Sequence, residues 1–134
     1  MMQPAIFETV LYAEDLSAAE RFYHDAVGLE VIQRTDVLLA FRCRGGVLLV
    51  FDPRKTAVPG RGLPKHGASG PSHVAFGARP EELEAWRARL REAAIPIESE
   101  IEWPEGGRSL YFRDPAANVV ELAPPTLWGG GWKF

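Results

Sequence analysis

Apolar and polar positions run through the same order of patterns twice along the chain. In the first half, Ala5 to Tyr12 (AIFETVLY) is dense in β-branched and aromatic residues and predicts a strand, interrupted by the carboxylate of Glu8. Asp15-Leu16-Ser17 leads into a helix. Ser17 and Glu20 stand at capping-box spacing, Ala19, Phe22, Tyr23 and Ala26 form one apolar stripe, and Gly28 supplies the stop. Three short strands are predicted over 30–35, 37–43 and 46–52, the last almost wholly apolar. In the second half, 72–77 (SHVAFG) predicts a strand. Pro80 opens a helix with Leu83, Trp86, Leu90 and Ala94 on one face, its acids ahead of its arginines as the helix dipole favours. Another strand begins at Ile95-Pro96-Ile97, and the runs 110–113 and 119–122 form a hairpin about Asp114-Pro115-Ala116-Ala117-Asn118. Each half reads β-α-β-β-β, a divergent tandem repeat of about fifty residues.

The repeat sets the domain organisation: a first unit over about 5–52, a linker over 53–71, a second unit over about 72–124 and a tail over 125–134, all within one domain of ordinary size. The linker PRKTAVPGRGLPKHGASGP has no periodicity, so it is a hinge between the halves, a flap over a site, or both. His66 within it is either a solvated loop histidine or a substrate contact. The tail carries Trp128 and Trp132 on a glycine-rich segment too short for a core, which implies docking on the domain or on a second copy.

No apolar run is long enough to span a membrane, and MMQPAIFETV has neither the basic start nor the apolar centre of a signal peptide, so a soluble cytoplasmic protein is expected. A formal charge of −3 gives no general electrostatic reason to bind nucleic acid. The single Cys43 cannot form an intrachain disulfide, and in an apolar run it reads as an inert buried thiol.

Candidate chemistry begins at Glu121, inside the closing strand. Side chains alternate faces along a strand, and both faces there carry apolar residues, so Glu121 is either a buried carboxylate needing a cation or donors, or a solvent-facing one. Superposing the repeats in sequence matches Glu8 with His73, each opening its unit's first strand, and Leu49 with Glu121, each inside the last. A pseudo-twofold would place these four positions around one centre. Three of them, Glu8, His73 and Glu121, are metal-ligand types suited to a divalent cation such as Mn, Fe, Ni, Zn or Mg, with coordination positions left open. The alternative is a hydrogen-bonded core histidine and an edge carboxylate.

The tandem units, the DLSAAERFYHDAVGLEV run at 15–31, the HVAF strand and the YFRDPAANVVEL hairpin together resemble the vicinal oxygen chelate superfamily, which includes glyoxalase I, bleomycin resistance proteins, extradiol dioxygenases and fosfomycin resistance enzymes. The resemblance implies an α+β fold in which two β-α-β-β-β units form a curved, barrel-like eight-stranded mixed sheet around a central cleft. It implies a divalent metal held by Glu8, His73 and Glu121, a small-molecule substrate chelated through neighbouring oxygens, and a homodimer. Within it, Glu8 or Glu121 would act as general base. Departures narrow the activity. One His with two carboxylates is not the set expected of a non-haem Fe(II) dioxygenase, and Leu49 stands where glyoxalase I has a fourth acid. Ser109 and Tyr111 fall where fosfomycin resistance enzymes contact substrate, yet the basic residues expected nearby are Ile101 and Gly130. The turn's usual Asp-Gly is Ala116-Ala117, so a left-handed residue is expected at Asn118.

If Ser109 and Tyr111 face the centre, Trp103 walls the cleft. Arg108 either holds an anionic substrate group or ends the hairpin in solvent. The function expected is a glyoxalase-like, metal-dependent lyase or isomerase. The alternative is a metal-independent binding protein of the bleomycin-resistance type.

Overall fold

The structure, a computed structural model, describes residues 2–134; Met1 lies outside them. The chain divides into two compact units, residues 1–70 and 71–134. All eight expected strands are present, as two four-stranded mixed sheets with few helices, although the sixth begins at Ser99 and leaves Ile95-Pro96-Ile97 outside it.

The first unit holds β1 (Glu8–Tyr12), α1 (Leu16–Glu20), β2 (Glu30–Arg34), β3 (Leu38–Cys43), β4 (Gly46–Phe51) and the one-turn α2 (Pro53–Thr56). Its sheet has the order β1-β4-β3-β2, with β1 parallel to β4 and the other pairs antiparallel. Helix α1 starts two residues earlier than the capping-box spacing predicts. Asp15 is the cap, its carboxylate accepting from the Ala18 amide at 2.9 Å, while the Glu20 carboxylate is drawn away to Arg34 of β2 and closes no box. Beyond Glu20 the helix widens to π geometry over Arg21–Ala26. The expected stripe survives: Ala19, Phe22, Tyr23 and Ala26 are all buried. Tyr23 packs on Phe41 at 5.7 Å between ring centroids, so the helix covers the sheet face of Leu39, Phe41, Leu48 and Val50. By alternation, Glu8, Val10, Ala40 and Leu49 stand on the opposite face.

Between the expected strands and the long loop, α2 is a turn that periodicity cannot show. The buried Asp52 caps it, accepting from the Arg54 amide at 3.0 Å. Asp52 also binds the Arg54 guanidinium, and that bond, ahead of the opposing effect of burial, holds its carboxyl below the ordinary range.

The second unit repeats the plan with β5 (His73–Gly77), a 3₁₀ turn at Pro80–Glu82, α3 (Leu83–Glu92), β6 (Ser99–Glu102), β7 (Arg108–Arg113) and β8 (Val119–Ala123). Its sheet order is β5-β8-β7-β6, again with the first pair parallel. Leu110, Phe112, Val120 and Leu122 are wholly buried. Arg87 of α3 pairs with Glu100 of β6, which sits opposite Leu110 in the ladder, so the helix lies on this apolar face. Two details differ from the expected pattern. Ala94 does not extend the stripe of α3: it is exposed at φ 56°, the left-handed residue of a Schellman cap in which the amides of Ile95 and Ala94 donate to Leu90 and Arg91. In the closing turn the left-handed residue is Ala117, at φ 67°, not Asn118. Asn118 is buried instead, donating to Asp114 and accepting from the Ser72 amide at 2.8 Å, which ties the hairpin to the entry of β5.

The repeat is visible in the ladders. Glu8 stands opposite Val47 as His73 stands opposite Val119, and Leu49 opposite Val10 as Glu121 opposite Ala75.

Candidate functional site

The sheet face of the second unit left uncovered by α3 carries a connected polar cluster. Strand alternation puts His73 and Ala75 of β5, Glu121 of β8, and Ser109 and Tyr111 of β7 on that face, and Tyr111 pairs directly with Glu121. Glu121 is 5% exposed, which makes it a buried carboxylate in need of donors. One comes from Ser109, itself fully buried, whose hydroxyl donates to Glu121 Oε2 at 2.7 Å. The Ser109 oxygen in turn accepts from the Trp103 indole N–H at 2.8 Å. A serine has one proton to give, and the indole can only donate, so the direction of this relay from Trp103 to Ser109 to Glu121 is fixed.

The other carboxylate oxygen, Oε1, faces His73 Nε2 at 3.1 Å. The second nitrogen of His73, Nδ1, is 3.0 Å from the Val119 carbonyl oxygen, which can only accept, so Nδ1 carries a hydrogen. In a neutral His73 the lone pair of Nε2 therefore points at a carboxylate lone pair. Two acceptors at that distance repel unless a proton or a cation stands between them. The Nδ1–carbonyl bond is also the usual way in which a protein orients a histidine that binds metal through Nε2. The donors thus fit a divalent cation in chemistry and in tautomer, and the His73 side chain, half exposed, is open to receive one.

Tyr111 completes the cluster. Its ring stacks beside His73 at 6.4 Å between centroids, and burial first, then the neighbouring Glu121 carboxylate, push its phenol above the ordinary range. Tyr111 is therefore a neutral donor at physiological pH.

The expected site residues divide by place. His73, Glu121, Ser109, Tyr111 and Trp103 come together in the second unit. Arg108 does not join them: it pairs with Glu100 at 3.7 Å and Glu102 at 3.6 Å, on the opposite face of β7, because neighbouring residues of a strand alternate. Glu8 and Leu49 share the uncovered face of the first unit, and Glu8 is exposed. His66 belongs to the first unit as well, where its ring meets Phe51 edge-on at 4.7 Å and shares a 2.6 Å hydrogen bond with the Tyr12 hydroxyl. Among the described residues, no group of three or more His, Cys, Asp or Glu side chains is placed to hold a metal ion, so the cluster itself supplies two donors. Cys43 is partly buried, and that burial raises its thiol above the ordinary range, as befits an unreactive cysteine. Sequence reasoning missed Asn118 as the residue that orients the start of β5 beside His73; its side-chain amide within a turn motif was the available signal.

Residues 5–122 match the family model of the glyoxalase/bleomycin resistance protein/dioxygenase superfamily. The chain belongs to this superfamily. Lactoylglutathione lyase from Agrobacterium tumefaciens is similar in structure at a TM-score of 0.90 and 42% identity, over 96% of this chain and 98% of that one. A glyoxalase/bleomycin resistance protein/dioxygenase from Nocardioides superposes at a TM-score of 0.75 with 23% identity, over 100% of this chain and 91% of that one. The fosfomycin resistance protein FosX from Listeria monocytogenes superposes at 0.70, also with 23% identity, over 95% and 98%. The last two likenesses concern the fold alone. No curated protein matches the sequence. Superfamily members generally use divalent metals, bind small molecules and commonly form dimers. No helix among the described residues is long and apolar enough to cross a membrane.

Proposed function

We propose that this superfamily member is a divalent-metal-dependent enzyme of glyoxalase type, a lyase or isomerase acting on a small molecule that presents two neighbouring oxygens. The observation that carries this reading is that His73 Nε2 and Glu121 Oε1 face each other at 3.1 Å, each residue held in place from behind by its own hydrogen bond. His73 and Glu121 would hold the cation, one of Mn, Ni, Zn or Fe, with Glu8 as the third ligand indicated by the repeat. A bound divalent cation supplies Lewis acidity to substrate oxygens. The chain's own residues do the rest. Ser109 holds the Glu121 carboxylate through Oε2, and Tyr111, neutral and adjacent, can donate to a substrate oxygen. Glu121, or Glu8, accepts a proton as general base when not engaged as a ligand. The 42% identity to a lactoylglutathione lyase favours lyase chemistry on a thiol adduct, while Leu49, in place of a fourth acid, argues for a different substrate or metal from that of glyoxalase I. A cytoplasmic homodimer is part of the same proposal.

The test is the melting temperature of metal-free protein titrated with Mn, Ni, Zn or Fe(II), in wild type and His73→Ala, followed by turnover assays with lactoylglutathione, catechols and epoxides. A ligand that binds only the folded state raises its stability by mass action, so wild type should shift upward and His73→Ala should not. No shift with any of the four metals refutes the metal site and leaves sequestration without chemistry.

A further inference from the structure

The tail after β8 lies outside the polar cluster, and its path is informative. Pro124 and Thr126 sit against Gly107 in the β6–β7 turn, and the Thr126 hydroxyl donates to the Gly106 carbonyl at 2.7 Å. The tail then turns back, with Gly129 and Gly131 both left-handed at φ 95°, and ends with the Phe134 ring at Gly77 of β5. The β6–β7 turn and Gly77 belong to opposite edges of the sheet β5-β8-β7-β6, so the tail is a strap across one end of it.

Gly77 explains where the strap ends. A glycine inside a strand weakens it and usually marks a close approach by another group. Gly77 is not among the left-handed glycines, so its reason is space. A Cβ built there would meet three Phe134 ring atoms at 2.6 Å, and these are its nearest neighbours. The face follows from alternation. His73, Ala75 and Gly77 point the same way along β5, Ala75 pairs with Glu121 and Gly77 with Ala123. The Phe134 ring therefore stands on the face that carries His73 and Glu121, one same-face step, about 7 Å, along the strands from the Glu121 row. Between the ring and the polar cluster the face carries only the small side chains of Ala75, which is exposed, and Ala123, which is half-buried. An aromatic ring, small residues beside it and a buried carboxylate beyond them are surroundings suited to an apolar group attached to a polar one.

We propose that the 124–134 strap is a wall of the site and that Phe134, seated on Gly77, is a specificity-determining residue that selects substrates with an apolar substituent next to their neighbouring oxygens. The inference rests on the proposed function for the oxygens, and on the strap alone for the substituent.

The probes are acetohydroxamate and benzohydroxamate, which share two neighbouring oxygens and differ in a methyl or a phenyl group. Their affinities are measured by calorimetry on protein loaded with the stabilising metal, for wild type, Phe134→Ala and Gly77→Ala. Wild type should favour the phenyl probe by about tenfold, the worth of a half-buried ring face. Both variants should cut that preference to about twofold or less. Gly77→Ala does so because the added methyl evicts the ring, and Phe134→Ala keeps the test valid if Gly77→Ala folds poorly. In unliganded wild type, nuclear Overhauser contacts should link the Phe134 ring to the Gly77 α-protons. A tenfold preference that survives Phe134→Ala, a wild type with no preference, or missing ring contacts overturns the inference and leaves the metal reading standing. Failure of wild type to bind either probe with any of the metals overturns both.

Discussion

Replacing Ser109 with Ala removes one oxygen and breaks a relay of two hydrogen bonds. Ser109 is fully buried, its oxygen accepts from Trp103 at 2.8 Å, and its proton goes to Glu121 at 2.7 Å. The variant leaves a buried carboxylate oxygen short of a donor and an indole N–H without its acceptor. An unsatisfied buried group costs about 1–3 kcal/mol, more when charged, so the expected loss is about 2–4 kcal/mol, with Tyr111 and water softening the upper end. At this chain length that is a fall in melting temperature of roughly 6–15 °C. Removing the group that orients Glu121, the proposed ligand, should also weaken divalent-metal affinity by about 10–100-fold. The direction of the relay separates this from a general packing defect. In Trp103→Phe the Ser109 hydroxyl loses a donor but keeps its own proton for Glu121, so stability should fall by about 1 kcal/mol while metal affinity stays within about threefold. Urea denaturation of metal-free protein gives the first quantity, and metal titration by calorimetry the second. Equal losses of metal affinity in the two variants, or a Ser109→Ala variant within 0.5 kcal/mol of wild type by the ordinary scale of neutral surface changes, would refute the relay.

Three further outcomes follow from the same structure. Because the folded-state pKa of Asp52 is depressed, its contribution is present above its unfolded pKa and is lost as pH falls through the folded value; the stability gap between wild type and Asp52→Asn should therefore narrow from pH 6 toward pH 2, measured by urea denaturation. Ala94→Gly should raise stability by about 1 kcal/mol in the same assay, since Ala occupies the left-handed cap position where Gly has no steric penalty. Leu49→Glu should destabilise metal-free protein in the same assay, because it sets a carboxylate among the aliphatic neighbours Val10 and Ala40 of the flanking strands; a variant as stable as wild type would mean that Leu49 contributes nothing to the packing of that face.

What was legible in the sequence was whatever depended on period and order. Phe22 and Tyr23 sit where the stripe put them because a helix over a sheet buries one face whatever its exact winding, and the strands other than β6, which reads SEIE and starts beyond the Ile95-Pro96-Ile97 run, followed from their apolar runs and turn residues. Ser109 and Tyr111 reach the site face by alternation, which counting alone provides. The misplaced details each depended on a partner distant in sequence. Glu20 is held by Arg34 while the cap falls to Asp15, which leaves Ser17 inside the helix, and Asn118 would have supplied the left-handed turn had Asp114 and the Ser72 amide not claimed its side chain. Arg108 looked free because Glu100 and Glu102, its partners on β6, are recognisable only once that strand has a register. The strap shows the same limit: nothing local to Gly77 reveals that a ring 57 positions later needs its missing side chain.

The two units share a register and have diverged at corresponding places. Tyr111 pairs with Glu121 where Ala40 pairs with Leu49, and Arg113 with Val119 where Arg42 pairs with Val47. Ser109 occupies the position on β7 that Leu38 occupies on β3, one alternate residue before that pair. So the uncovered face of the second unit bears a serine, a tyrosine and a glutamate, and the same face of the first bears two leucines and an alanine. Had the polar set been needed only to stabilise the fold, the first unit, identical in topology, would require it too. It manages with aliphatic side chains, which bury without needing partners. A buried carboxylate that costs desolvation and must be held by a serine, itself held by a tryptophan, is an expense that the fold does not demand. The metal chemistry proposed for His73 and Glu121 would account for keeping it.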